Sequence, residues 1–315
     1  MPAAVLVLAA VAVACVPIAS ALAAARWPRR SPATAIVLWQ ALGLGWGLAA
    51  VGALAALGAD QRPGVAQGTY ALAGRLIRGR GVMTAGAAGL PAGIRLLSLA
   101  LSMLLLLLLT GVLVAASAAV LRARRRQRTL LNLLAHGDPK VPGALVVDHP
   151  AAAAYCVPGL RSAIVISAGT LALLDQAELA AVLAHERAHL RERHDLVLLP
   201  FTALLRAFRW ASVARTSYAA VAMLVEMLAD DRALRHRRVA ARELATALLR
   251  FGAAGGAYAP LGGLAVADRA DGQVAARVSR LLRPAPRLPW PAVTLVCAAA
   301  ATMVAIPVGF LLLPS

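Results

Sequence analysis

The chain has 315 residues, 61% of them hydrophobic, with a mean hydropathy of +0.75 and a formal net charge of +18. That composition excludes an ordinary soluble domain and a disordered chain, and it points to a membrane protein. The charge is not read as a nucleic-acid signal: all but one of the 32 basic residues are arginine, and many of them flank apolar runs. Positive-inside bias and anionic headgroups account for such a pattern, so membrane lipid is the expected partner and nucleic acid is not.

In chain order, residues 3–25, 33–57, 96–121 and 290–313 are free of charge. Each exceeds the roughly 20 residues that a helix needs to cross about 30 Å of hydrocarbon. Four transmembrane helices are expected. The first run could alternatively be a signal peptide, since Ala19-Ser20-Ala21 resembles a cleavage site. No basic residue precedes it, however, and Arg26, Arg29 and Arg30 follow it, so it is kept as a span. Arg122, Arg124, Arg125, Arg126 and Arg128 follow the third span. Both clusters face the cytoplasm if the N- and C-termini lie outside; the segment 58–94, with Arg62, Arg75, Arg78 and Arg80, then lies outside against the rule.

Of the 14 acidic residues, 13 fall between Asp138 and Asp271, which marks one polar block. The expected division is a three-span membrane region (1–121), a cytoplasmic polar domain (122–289) and a fourth transmembrane helix (290–315). Within the domain, 144–148 and 161–167 are short and rich in Val and Ile and read as strands. A Pro/Gly segment with Pro150, Pro158 and Gly159 separates them. Asp175 followed by Glu178 forms a capping-box pattern that opens a helix over 176–193. Apolar residues 196–225 are interrupted by Pro200, Arg206, Arg209 and Arg215, and they predict an interfacial or core-packed helical pair that breaks at Pro200 and again near 209–216. Residues 226–250 and 273–282 read as further helices. Three cysteines, two of them in spans, leave Cys156 alone in the domain and fit a reducing compartment.

His185-Glu186-Arg187-Ala188-His189 is H-E-x-x-H. Residues i and i+4 share a helix face, so both imidazoles can hold one metal ion with Glu186 beside it as general base. A catalytic zinc needs a third protein ligand. Glu226 is the best candidate, because it emerges from an apolar helix where an unpaired carboxylate is costly; Asp230, one turn on, can orient a ligand histidine. Asp195 is a rival ten residues after His185, but the glycine turn that geometry requires is absent, since position 192 is Glu. His194 reads as a helix-terminal or surface histidine, Asp231 as solvated, and His136, His149 and His236 have no metal spacing.

With His185 to His189, Glu226 and Asp230 in place, the chain resembles the BlaR/MecR integral-membrane zinc metallopeptidases, which are related to the HtpX-like gluzincins. The resemblance also rests on Ala154-Tyr155-Cys156-Val157-Pro158-Gly159 and Ile164-Val165-Ile166-Ser167. It implies a mainly α membrane protein with four transmembrane helices and a cytoplasmic gluzincin-like α+β protease domain between the third and fourth. It implies one Zn2+ held by His185, His189 and Glu226, Glu226 being the third ligand, with Asp230 supporting the site and Glu186 catalytic. It also implies edge pairing of an extended substrate along the strand at Ile164–Ser167. The implied activity is regulatory cleavage of a cytoplasmic protein, with a BlaI-type repressor as candidate partner. The alternatives are HtpX-like quality control and a non-catalytic signalling or scaffold protein. One departure is plain. Members that sense β-lactams carry a penicillin-binding domain after the last span, and the only lysine here, Lys140, has Gly137 three residues before it, so S-x-x-K cannot form. Covalent β-lactam sensing is therefore not expected.

Overall fold

The structure is a computed structural model and describes residues 2–59, 91–137, 141–159, 162–235, 239–254, 257–258 and 267–312. Arg62, Arg75, Arg78 and Arg80 of the expected outer loop lie outside these residues, as do Lys140 and His236. The chain divides into two compact units, residues 1–25, 34–112 and 289–315 in the first and 26–33 and 113–288 in the second.

The first unit holds α1 (Pro2–Ala24), α2 (Pro32–Gly58), the leading half of α3 (Ala92–Leu134) and α10 (Trp290–Leu312). All four helices are long and apolar enough to cross a membrane. With lipid as apolar as leucine, small residues and buried polar contacts bring such helices together. Ser102 accordingly donates to the Val51 carbonyl at 3.0 Å, joining α3 to α2. Gly45 lets α2 approach α10 so closely that a Cβ there would lie 2.8 Å from the Met303 carbonyl oxygen. α3 does not stop where its apolar run does. It continues through the arginine cluster to Leu134, as the high helix propensity of arginine allows.

The second unit is built on a five-stranded sheet in the order β1-β2-β4-β3-β5. The strands are β1 (Ala135–Gly137), β2 (Ala144–Val147), β3 (Ala153–Val157), β4 (Ala163–Ser167) and β5 (Ala257–Tyr258). β2 and β4 run parallel with Val146 opposite Ile166, while β3 and β4 are antiparallel with Tyr155 opposite Val165. Alternation along the strands sorts two faces. Ala144, Val146, Ile164 and Ile166 pack with Leu183 of α5 (Gln176–Glu192), and Val157 and Val165 pack with Leu131 of α3. A short α4 (Ala168–Leu173), capped by Ser167, links β4 to α5.

Beyond α5 come α6 (His194–Ala207), α7 (Ser212–Ala233), α8 (Ala241–Ala253) and α9 (Ala267–Leu282). Ala181, Ala233, Leu244, Leu248 and Leu281 form a core joining α5, α7, α8 and α9. The 3-10 turn Trp27–Arg30 belongs to this unit, where Arg280 of α9 donates to the Arg29 carbonyl at 2.8 Å.

Three sequence expectations change. β3 falls inside the segment read as a Pro/Gly connection. The break expected at Pro200 does not occur: Pro200 lies within α6, which starts directly after the left-handed Arg193 (φ 53°), where the preceding helix was expected to end. The helix expected over 226–250 is two helices, α7 ending at Ala233 and α8 starting at Ala241.

Candidate metal centre

α5 carries the two histidines, and its start is fixed by a complete capping box. Asp175 accepts from the backbone of Ala177 and Glu178 at 2.9 Å, and the Asp175 N–H donates to Glu178 at 3.0 Å. At the far end Arg193 adopts the left-handed conformation, which costs a non-glycine residue about 1–2 kcal/mol. The turn has a use, because it starts α6 at once and brings His194 back against α5.

His185, Glu186 and His189 are all buried. α7 packs across α5 and presents Glu226 and, one turn later, Asp230. Nε2 of His189 lies 3.0 Å from Nε2 of His185, 3.4 Å separates His185 Nε2 from Glu226 Oε2, and 3.6 Å separates His189 Nε2 from Glu226 Oε1. Ligands at zinc–nitrogen distances of about 2.0–2.1 Å in a tetrahedron stand about 3.3 Å apart. Those separations, and two imidazoles with one carboxylate as donors, therefore fit a zinc ion. Among the described residues, His185, His189 and Glu226 form the group of His, Cys, Asp and Glu side chains able to share an ion. Asp195 is not part of it, and its carboxylate pairs with Arg124 of α3.

The surrounding contacts set tautomers and charges. Asp230 Oδ1 lies 3.0 Å from His185 Nδ1, which leaves Nε2 of that ring for a metal. Burial alone would lower the His185 pKa. Hydrogen bonds to Asp230 and Glu226, with the charge of Asp230, outweigh burial and the opposing Arg277 and raise it to about 9. For Asp230, burial acts upward, but the charge of Arg277 and the bonds from His185 and Arg277 prevail and bring it to about 2. Glu226 is likewise held well below the usual carboxylate range despite its burial, chiefly by the charges of Arg277 and His189.

Three neighbours had no role assigned from sequence. His194 is buried, not at the surface, and its Nδ1 stands 2.9 Å from Nδ1 of His189. Burial and the neighbouring His189 lower its pKa to about 3, so it is neutral at neutral pH and accepts from His189 when Nε2 of His189 serves a metal. Cys156 of β3 faces Glu186. Burial first, then the charge of and hydrogen bond to Glu186, push the thiol pKa up, so the group is a thiol and not a thiolate. Arg277 of α9 is buried and donates to both Glu226 and Asp230. A signal for it was present, since Arg277 falls in the apolar stripe formed by Val274, Val278 and Leu281. Asp231, expected to be solvated, pairs with Arg280 at 2.7 Å.

These shifts give the site a pH dependence. In protein stripped of metal by a chelator, charged His185 stabilises the fold fully below its ordinary value of 6.5, and that stabilisation is lost as pH rises through about 9. Ionised Asp230 stabilises above its ordinary 3.8, and this is lost as pH falls through about 2. A zinc ion held by His185 would have to displace its proton, so zinc affinity is expected to rise about tenfold per pH unit between 7 and 9 and then level off. Chelator competition across that range measures it; a flat profile would mean that His185 carries no proton to displace.

A family model described as Peptidase family M48 matches residues 120–281, a little over half of the chain. No curated protein and no solved structure matches.

Proposed function

The chain belongs to peptidase family M48 and with it to the metalloproteases, and on that premise we propose that it is a zinc endopeptidase held in a membrane. The observation that carries the reading is the buried convergence of His185, His189 and Glu226 beside Glu186. One zinc ion would be held by those three residues, with Asp230 orienting His185. When bound, it supplies a Lewis acid that polarises the scissile carbonyl and acidifies water. Glu186 takes the proton of the attacking water and passes it to the departing amine. Asp230 and His194 hold the two imidazoles in the tautomers that leave Nε2 available.

The substrate is an extended protein segment. The strand expected to pair with it, Ile164–Ser167, is interior, with β2 on one side and β3 on the other, so that expectation is withdrawn. Among the described residues, β5 pairs with β3 at Ala153 and Ala154, and no strand pairs with the outer edge of Tyr155–Val157. Cys156, in this stretch, faces Glu186, so a segment added there runs past the catalytic carboxylate.

We read the protease unit as cytoplasmic and its role as regulatory, with a cytoplasmic protein such as a BlaI-type repressor as substrate. Sidedness is supported by charge: the arginines at 26, 29 and 30 and those at 122–128 all belong to the unit that contains the site. The test compares cytoplasmic proteins in cells carrying the parent or the Glu186→Gln chain. A repressor fragment present only with the parent is the expected result. Fragments confined to misfolded membrane proteins would favour quality control, and no difference at all would remove the protease reading.

A further inference from the structure

Glu226 and Asp230 lie one helical turn apart on α7, and both are buried. Two carboxylates so placed repel each other, and each loses hydration. Arg277 resolves this with a forked contact. Its Nε and one terminal nitrogen donate to Asp230 at 2.9 and 2.7 Å, while the other terminal nitrogen donates to Glu226 Oε2 at 2.9 Å. Because the guanidinium is planar and rigid, it fixes the two carboxylates relative to each other as well as neutralising them.

The contacts close a ring. His185 Nδ1 meets Asp230, Asp230 meets Arg277, Arg277 meets Glu226, and Glu226 returns to the Nε2 atoms of both histidines. We infer that Arg277 is a positioning residue for the metal: by donating to Glu226 Oε2 it fixes the carboxylate against the two histidine Nε2 atoms, and by clasping Asp230 it sets the plane of the His185 ring. α9 is itself anchored one turn on, where Arg280 donates to the Asp231 carboxylate and the Arg29 carbonyl.

The inference rests on the reading of His185, His189 and Glu226 as ligands, and it is separable from a purely electrostatic role for Arg277. Direct repulsion between the Arg277 cation and a divalent ion would by itself make zinc bind tighter once Arg277 is removed. A positioning role demands the reverse. Arg277→Gln is expected to weaken zinc about 10- to 100-fold by chelator competition, the range for loss of a residue that orients metal ligands. It is also expected to change the visible absorption of the cobalt-substituted protein as Glu226 turns. Arg277→Lys keeps the charge without the fork and should recover part of the affinity while retaining the altered cobalt spectrum. Arg283→Gln, an exposed arginine just past the end of the same helix, removes one positive charge away from the ligand carboxylates and should leave the cobalt spectrum as in the parent. Unchanged or tighter zinc in Arg277→Gln overturns the inference. If that variant does not fold, a parental cobalt spectrum and parental affinity in Arg277→Lys overturn it instead. A parent chain that binds no zinc at all would refute the ligand reading, a result distinct from both.

Discussion

Replacing Glu186 by glutamine is expected to slow peptide cleavage by about 10²- to 10⁴-fold, the usual contribution of a positioned general acid–base, while zinc content stays at the parental level. Glutamine has the shape of glutamate and can still accept from the Cys156 thiol, so the buried junction between β3 and α5 is preserved. What it cannot do is take a proton from water at neutral pH. Glu186 is not one of the three residues whose ligand atoms converge, so metal retention should be unaffected. Steady-state cleavage of a reporter peptide, with metal analysis of the same samples, decides it. Parental activity in the variant would assign the base to another group, and loss of zinc would show that Glu186 helps to hold the ion.

The second large effect is expected from His189→Ala. It removes one of two imidazoles and leaves His194 Nδ1 without the ring it faces. Stoichiometric zinc should be lost on purification, and proteolysis with it. Stability should follow by linkage, since an ion that binds only the folded chain adds about 4 kcal/mol when its free concentration is a thousandfold above Kd. Added zinc should therefore raise the thermal midpoint of the parent and leave that of the variant where it was. A variant that still gains from zinc would mean that His185 and Glu226 recruit a different third ligand.

Much of the site was legible because helical spacing is a local rule. H-E-x-x-H places two imidazoles on one face whatever else the chain does, and Glu226 with Asp230 repeats the same one-turn interval on a second helix. The capping box at Asp175 and Glu178 was legible for the same reason, since both partners lie within four residues. β3 was not. Its alanines carry little β propensity, and it is a strand because β4 offers a partner edge. Arg277 was visible only as a charge inside an apolar stripe, with nothing to say which carboxylates it met 47 and 51 residues earlier.

By itself, the sequence determined the apolar runs, the H-E-x-x-H helix and the buried carboxylate that meets it, because hydropathy, periodicity and the cost of burying a charge act over a few turns of chain. Tertiary structure alone decided which groups surround that metal site. The left-handed turn at Arg193 delivers His194 to His189, the pairing of β3 with β4 sets Cys156 against Glu186, and the packing of α9 brings Arg277 to Glu226 and Asp230. Each of these joins segments whose local pattern is indifferent to the other, so only the folded chain brings them together.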